Sequence, residues 1–364
     1  MKERDILIWL NGLAGINNRY MEKLDSEIED ITSLWHMDRA EVEAIEGIGK
    51  TLKRSMASCR DIESYREMLE NTKKQGIDIL TIRDVGYPKS LREIPDAPRV
   101  LYIKGELKPE DELAISVVGP RKASQYGLWA AETLARELSV RGITVVSGMA
   151  LGVDAAAHMA ALDSGGRTVA VLGTGVDVVY PSKNRHLYER IIQNGAVISE
   201  FPPGTKGLPY RFPQRNRIVS GLSVGTIIVE AGEKSGTLTT AQHCLDQGRE
   251  VFAVPGNINS VYSKGTNSLI QDGAKLVMDI DDILSEVKDL EGLSLGVRAE
   301  EMESLSSLEK RVLGVMVEPM GAELISIALG EPLPDVMGIL TVLEIKGKVK
   351  RWKGGVFCRV KIIS

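Results

Sequence analysis

Apolar positions fall into three textures along the chain. From residue 1 to about 72 they recur at helical spacing, with Ile6, Leu7, Trp9 and Leu10 forming one stripe. Two glycine turns interrupt this all-helical stretch, Leu13-Ala14-Gly15-Ile16 and Ile45-Glu46-Gly47-Ile48-Gly49-Lys50. Each reads either as the hairpin of a helix-hairpin-helix unit, whose glycines let backbone amides approach a phosphate, or as a plain connection between helices. A proline-marked connector over 73–106 contains Tyr87-Pro88 and Asp96-Ala97-Pro98 and leads into a strand over 100–103. Short β-branched runs then alternate with helical patterns, and strands are expected over 114–118, 144–147, 168–172, 196–199, 226–229 and 250–254. Runs without polar alternation belong to strands buried on both faces, and intervening helices make the crossovers parallel. The expectation is an α/β fold, a Rossmann-like doubly wound parallel sheet.

The third texture begins after a stretch over 286–300 with Glu291, Gly292, Ser294 and Gly296, which reads as a linker. Helical patterns over 305–317, 322–329 and 333–345 precede a strand-turn-strand ending, which predicts a winged helix over 301–364. The expected organisation is therefore a helical domain over 1–72, the sheet domain with its leading connector over 73–285, the linker, and the winged helix. Lys346, Lys348, Lys350, Arg351, Lys353, Arg359 and Lys361 crowd the final hairpin against one acid, Glu344. They suit either a wing on nucleic acid or a solvated hairpin whose lysines protect an edge strand.

A chain of 364 residues exceeds one minimal core, so several domains are expected. Apolar residues at 43% and charged residues at 26% exclude a disordered chain. No run approaches the roughly 18 apolar residues of a spanning helix, and the start Met1-Lys2-Glu3-Arg4-Asp5 lacks signal-peptide order, so no membrane partner is expected. Cys59, Cys244 and Cys358 form neither a disulfide framework nor a metal-spaced pair, which fits a reducing cytoplasm. A net charge of -5 supplies no global attraction to polyanions, so a nucleic-acid partner needs a local basic site.

Candidate chemistry collects where ligands bind in open parallel sheets, beyond the carboxyl ends of the strands. Those ends carry Gly119-Pro120-Arg121-Lys122-Ala123-Ser124, Ser147-Gly148-Met149-Ala150-Leu151-Gly152-Val153-Asp154, Gly173-Thr174-Gly175 with Tyr180-Pro181-Ser182-Lys183, and Glu230 through Thr240 with Ser235, Gly236, Thr237 and Thr239. Glycines and helix N-termini there favour a phosphate. The run Arg211-Phe212-Pro213-Gln214-Arg215-Asn216-Arg217 reads as a proline-rich loop in which cations and rings suit single-stranded nucleic acid. Its alternative is an ion-pair knot that fixes the loop to the sheet or to a second subunit. Gly173-Thr174-Gly175 lacks the third glycine of the dinucleotide fingerprint, and Gly49-Lys50-Thr51 lacks the first glycine of a P-loop, because position 44 is Ala44. His158 reads as a packed helix residue and Asp154 as a first-turn carboxylate, while Glu200 and Glu230 have no metal-spaced neighbours. No catalytic set, cofactor or metal is expected.

Together these segments resemble the DNA-processing protein A family (DprA, also called Smf). The resemblance rests on Gly86-Tyr87-Pro88, Val118-Gly119-Pro120-Arg121, Ser147 to Asp154 with Ala157-His158, Tyr180-Pro181 with Asn184, Ser199-Glu200, Phe212 to Ile218, Ser235 to Ala241, Gly248-Arg249 and Val254-Pro255-Gly256-Asn257. It implies a sterile-alpha-motif type N-terminal domain, the Rossmann-like domain and a winged helix. It further implies a non-catalytic binder of single-stranded DNA that protects incoming strands and loads RecA recombinase in natural transformation, as a homodimer joined through the Rossmann-like domain. Carried over by position, the DNA-binding set is Gly119, Arg121, Lys122, Ser147, Gly148, Met149, Lys183, Arg215, Asn216, Arg217, Ser235, Gly236, Thr237 and Thr239. Pro120 departs from the family's serine or threonine and removes an amide donor and a hydroxyl. The competing expectation is a nucleotide-processing enzyme resembling the phosphoribohydrolases, partly echoed in Ser235-Gly236-Thr237.

Overall fold

The computed structural model describes residues 1–290, 306–316, 319–345, 348–351 and 355–359. The chain divides into two compact units, Met1–Val277 and Met278–Ser364.

The first unit opens with five helices, Glu3–Asn11, Asn18–Glu27, Arg39–Ala44, Lys50–Ser58 and Ile62–Lys74. Side-chain caps start several of them: Asn17 accepts from the Tyr20 amide, Asp38 and Glu41 form a capping box, and Asp61 accepts from Ser64. The expected stripe is real, since Ile6, Leu7 and Leu10 are fully buried with Leu34, Leu52 and Met56, and Trp9 meets Trp35 edge-on. The two glycine turns pack hairpin against hairpin. A Cβ at Gly15, whose φ is +86°, would come within 2.9 Å of the Leu52 amide nitrogen.

Nine strands follow: β1 Asp78–Thr81, β2 Val100–Gly105, β3 Ala114–Val118, β4 Thr144–Ser147, β5 Thr168–Val171, β6 Gly195–Ser199, β7 Gly225–Ile228, β8 Glu250–Ala253 and β9 Lys275–Leu276. Their order across the sheet is β1-β2-β6-β5-β4-β3-β7-β8-β9. The seven from β3 onward pair in parallel, and β2 joins β6 antiparallel with β1 outside it. Every residue of β3 to β7 is buried, as expected of strands covered by helices on both faces. The edge strands β1 and β9 were not expected, because they are only two to four residues long and carry no buried run.

The helical segment is fixed to this sheet by charge as well as by its core. Arg4 pairs with Asp84 at 3.1 Å and donates to the Ile79 carbonyl at 2.8 Å. Asp25 holds Arg83 at 2.6 Å and Arg99 at 3.2 Å, and the Tyr102 hydroxyl donates to Asn11.

In the second unit, helices Ser307–Val315, Ala322–Leu329 and Leu333–Ile345 pack with strands β10 Met320–Gly321, β11 Val349–Arg351 and β12 Val356–Arg359, β12 lying between the other two. Val312, Ile325, Val336, Leu340 and Phe357 are its core, the arrangement of a winged helix. Of the basic hairpin, Lys346, Lys353, Lys361 and the side chains of Lys350 and Arg359 lie outside the described residues, as does 291–300 of the expected linker. Arg351 lies over the Phe357 ring at 5.6 Å. No single helix among the described residues is long and apolar enough to cross a membrane.

Candidate nucleic-acid interface

Strand order reverses at β3, which has β4 on one side and β7 on the other. The crevice between β3 and β7 is where a doubly wound sheet usually seats its ligand. Here protein fills it. Buried Glu230, just past β7, accepts from the Ser124 amide at 3.0 Å and from the Ser124 hydroxyl. Ser124 in turn caps the helix Gln125–Val140 by accepting from the Gly127 amide. That helix N-terminus already has its anion.

The open site lies one strand over. Arg121 after β3, Gly148, Ala150 and Leu151 after β4, Tyr180 and Pro181 after β5, and Phe212 and Arg215 from the helix Arg211–Gly221 enclose a cavity of about 80 Å³. Pockets for whole small molecules run about 300–1,000 Å³, so this one suits a single phosphate-sized group. At its rim the Tyr180 and Phe212 rings meet tilted by 33° with centroids 5.1 Å apart, and the Arg121 guanidinium lies 5.3 Å from the Phe212 ring. Arg121 is exposed and has no acidic partner among the described residues.

Arg215 forms the floor. It is 5% exposed, donates to the Val171 carbonyl at the end of β5, and its Nε has no hydrogen-bond partner among the described residues. Burial pushes this guanidinium down to about 10, opposed by the neighbouring Asp154 carboxylate. Gly148 passes directly over it, where a Cβ would collide with the guanidinium. Asp154 sits in the first turn of the helix Val153–Asp163 and accepts from the Ala150 amide at 3.3 Å, so one carboxylate steadies both loop and arginine. Burial, foremost, raises its pKa. Met149 adopts φ +57°, the left-handed region that non-glycine residues avoid. The Asn184 amide holds that strained peptide by donating to the Met149 carbonyl at 2.8 Å.

Several of the expected DNA-binding residues sit elsewhere. The run 211–217 is not a loop but the start of a helix, because Pro213 falls in its first turn, where a missing amide costs no helical bond. Arg217 is buried and paired with Glu200 at 2.7 Å and Asp96 at 2.8 Å, so the ion-pair knot describes it. Ser147 is buried and donates to the Val117 carbonyl. Met149 is buried, and Asn216 is half-buried on the helix Arg211–Gly221. Gly119 packs against Val153 with no room for a Cβ. Lys122 and Lys183 are exposed, Lys183 two residues past Pro181. The Ser235 turn does not reach the cavity: Ser235 caps the helix Gly236–Asp246, exposed Gly236 begins that helix, Thr237 is buried against the cap, and Thr239 faces another cleft. Tyr180, Pro181, Phe212, Ala150 and Leu151 were absent from the expected set. A Tyr-Pro step at a strand's carboxyl end was the available signal for the first.

The groups considered for catalysis are all engaged. Glu200 holds Arg217 and Glu230 holds Ser124. His158 is fully buried with Nδ1 2.6 Å from the Thr168 hydroxyl, whose own hydrogen goes to the Val145 carbonyl, so Nδ1 carries the proton. Burial, aided by the charge of Arg215, pushes its pKa down to about 3. Among the described residues no group of three or more His, Cys, Asp or Glu could hold a metal ion.

The sheet with its filled switch-point crevice and its small arginine-floored cavity places the chain in the class of Rossmann-like α/β proteins. Residues 78–288 match the model of the family described as DNA recombination-mediator protein A, and the chain belongs to that family. It is 33% identical over 366 residues to Protein Smf of Escherichia coli, covering 96% of this chain and 95% of the relative. It is 45% identical over 206 residues to DNA processing protein DprA of Streptococcus pneumoniae, covering 57% of this chain and 73% of that one. The solved structure of the S. pneumoniae protein superposes with a TM-score of 0.70 at 35% identity, covering 79% of this chain and 99% of that one. That of DNA processing protein A from Helicobacter pylori, described for its single-stranded DNA binding mode, gives 0.53 at 32% identity over 58% and 97%.

Proposed function

We propose that this chain binds single-stranded DNA non-catalytically at the carboxyl edge of its sheet, with one backbone phosphate in the Arg121–Gly148–Arg215 cavity. The observation that carries the reading is the pairing of two guanidiniums on one phosphate-sized cavity with the tilted Tyr180–Phe212 ring pair at its rim. Unpaired bases have free faces for such rings, and duplex bases do not. Lys183 and Lys122 extend the positive edge. The H. pylori relative's single-stranded DNA binding supports the same partner here. Loading of RecA recombinase, protection of incoming DNA in natural transformation, action in the cytoplasm and assembly as a homodimer through the sheet domain complete the proposal. The family description, a recombination-mediator protein, supports the recombinase partner among these. The phosphoribohydrolase reading is weaker, because Glu200, Glu230 and Thr237 are all held by protein partners.

Fluorescence anisotropy with labelled oligo-thymidine at several salt concentrations tests the site. Arg121→Ala and Lys183→Ala should each weaken binding and lower the slope of log K against log salt by about 0.7. Unchanged affinity and slope in both variants, or equal affinity for duplex and single strand, would overturn the reading.

A further inference from the structure

The helix Arg211–Gly221 separates two openings. Phe212 and Arg215 face the small cavity, whereas Tyr210, Arg211, Gln214 and Arg217 line a cleft of about 1180 Å³ whose opposite wall is the first glycine hairpin, residues 12–19. Both walls belong to the first unit.

The cleft's charges divide into neutralised and free. Asp96 and Glu200 are held by Arg217, and Arg99 by Asp25. Arg211 has only neutral or ring partners: it donates to the Lys206 carbonyl at 2.6 Å and lies 4.9 Å from the Phe201 ring and 5.8 Å from the Tyr210 ring. Arg19 is exposed and has no ionic partner among the described residues. Asn18 fastens the hairpin in place by bonding Asp96 and the Ala97 carbonyl. The hairpin therefore presents Arg19 from a fixed position. Two unpaired guanidiniums, one of them over the half-buried Phe201 and the exposed Tyr210, suit a chain that offers phosphates and planar bases in alternation. An acidic peptide would satisfy the two arginines but leave Phe201 and Tyr210 (57% exposed) without planar partners.

Building on the binding reading above, we infer that this cleft is a second stretch of the single-strand track. It takes the nucleotides beyond the Arg121 cavity, with Arg19 and Arg211 on phosphates and Phe201 and Tyr210 under bases. The N-terminal helical segment thereby becomes half of a nucleic-acid groove. Tyr210 and Phe212 flank Arg211 on one turn, so a strand crosses from one opening to the other around a single residue.

Oligo-thymidines of about 4 and about 16 nucleotides, the span of site sizes for single folded domains, separate the two stretches. For the longer oligomer, Arg19→Ala and Arg211→Lys/Arg19→Ala are compared with wild type by salt titration of the full chain. Arg19→Ala should lower the salt slope by about 0.7 for the 16-mer and leave the 4-mer unchanged, with Arg211→Lys retaining its charge. Arg121→Ala should weaken both oligomers. Bromo- or iodo-deoxyuridine placed along the 16-mer should photocrosslink to Tyr210 as well as to Tyr180. Unchanged 16-mer affinity and slope in Arg19→Ala, with crosslinks confined to Tyr180 and Phe212, overturns the cleft track and leaves the Arg121 site standing. The reverse, an Arg19 effect without an Arg121 effect, overturns the cavity reading and leaves the track.

Discussion

Gly148 makes the arginine floor possible, because any side chain there would occupy the space of the Arg215 guanidinium. Gly148→Ala should therefore push Arg215 into the cavity and cost about tenfold or more in oligo-thymidine affinity, about 1.4 kcal/mol. Titration calorimetry on a variant with wild-type circular dichroism checks this. His158 makes a different prediction. Its pKa is pushed from 6.5 down to about 3, so between those values the unfolded chain holds a proton that the folded chain refuses. Stability is thus intact above 6.5 and falls with pH through that window, by up to about 1.4 kcal/mol per unit. The raised pKa of Asp154 acts oppositely, since above its ordinary 3.8 the folded carboxyl keeps its proton longer. In urea melts, His158→Gln should lose less stability than wild type between pH 6.5 and 4. Parallel curves would contradict this assignment.

At the scale of elements, the helix Arg211–Gly221 joins two roles: its first turn lines both openings, and Arg217 ties it to Glu200 and Asp96. Removing that guanidinium leaves two acids without their shared partner. Arg217→Ala should cost about 3–5 kcal/mol in chemical denaturation, where a DNA-contacting arginine would cost almost nothing. The same helix shows why the sequence was only partly legible. The buried runs of β3 to β7 announced themselves because both faces are covered. Pro213 and three arginines hid a helix, since helix-breaking residues are tolerated in a first turn. Arg121 was readable as a strand-end cation. Arg215 and Arg217 were not separable, because their fates are set by Val171, Glu200 and Asp96, the last more than a hundred residues away. Glycines signalled the loops, but whether each admits a phosphate or a neighbouring side chain is decided by packing.

Across the whole molecule, binding has to be local. The chain carries a net charge of -5, so the cationic edge works against a repulsive background that salt screens as well. The helical segment joins that edge through Asp25, whose carboxylate is 8% exposed and holds both Arg83 and Arg99. Asp25→Ala should destabilise the first unit by about 2–3 kcal/mol. It should do so in one cooperative transition, followed by fluorescence of Trp9 and Trp35. Separate early melting of residues 1–74 would show that the two parts are less tightly joined.

Glu230 carries one consequence further. By bringing its own carboxylate to the place where related architectures receive a nucleotide's phosphate, the chain has a built-in competitor that never dissociates. On the binding reading proposed above, a free mononucleotide would meet an occupied seat, and a strand would be taken at the neighbouring cavity. Discrimination against small metabolites would then rest on a single buried side chain, Glu230.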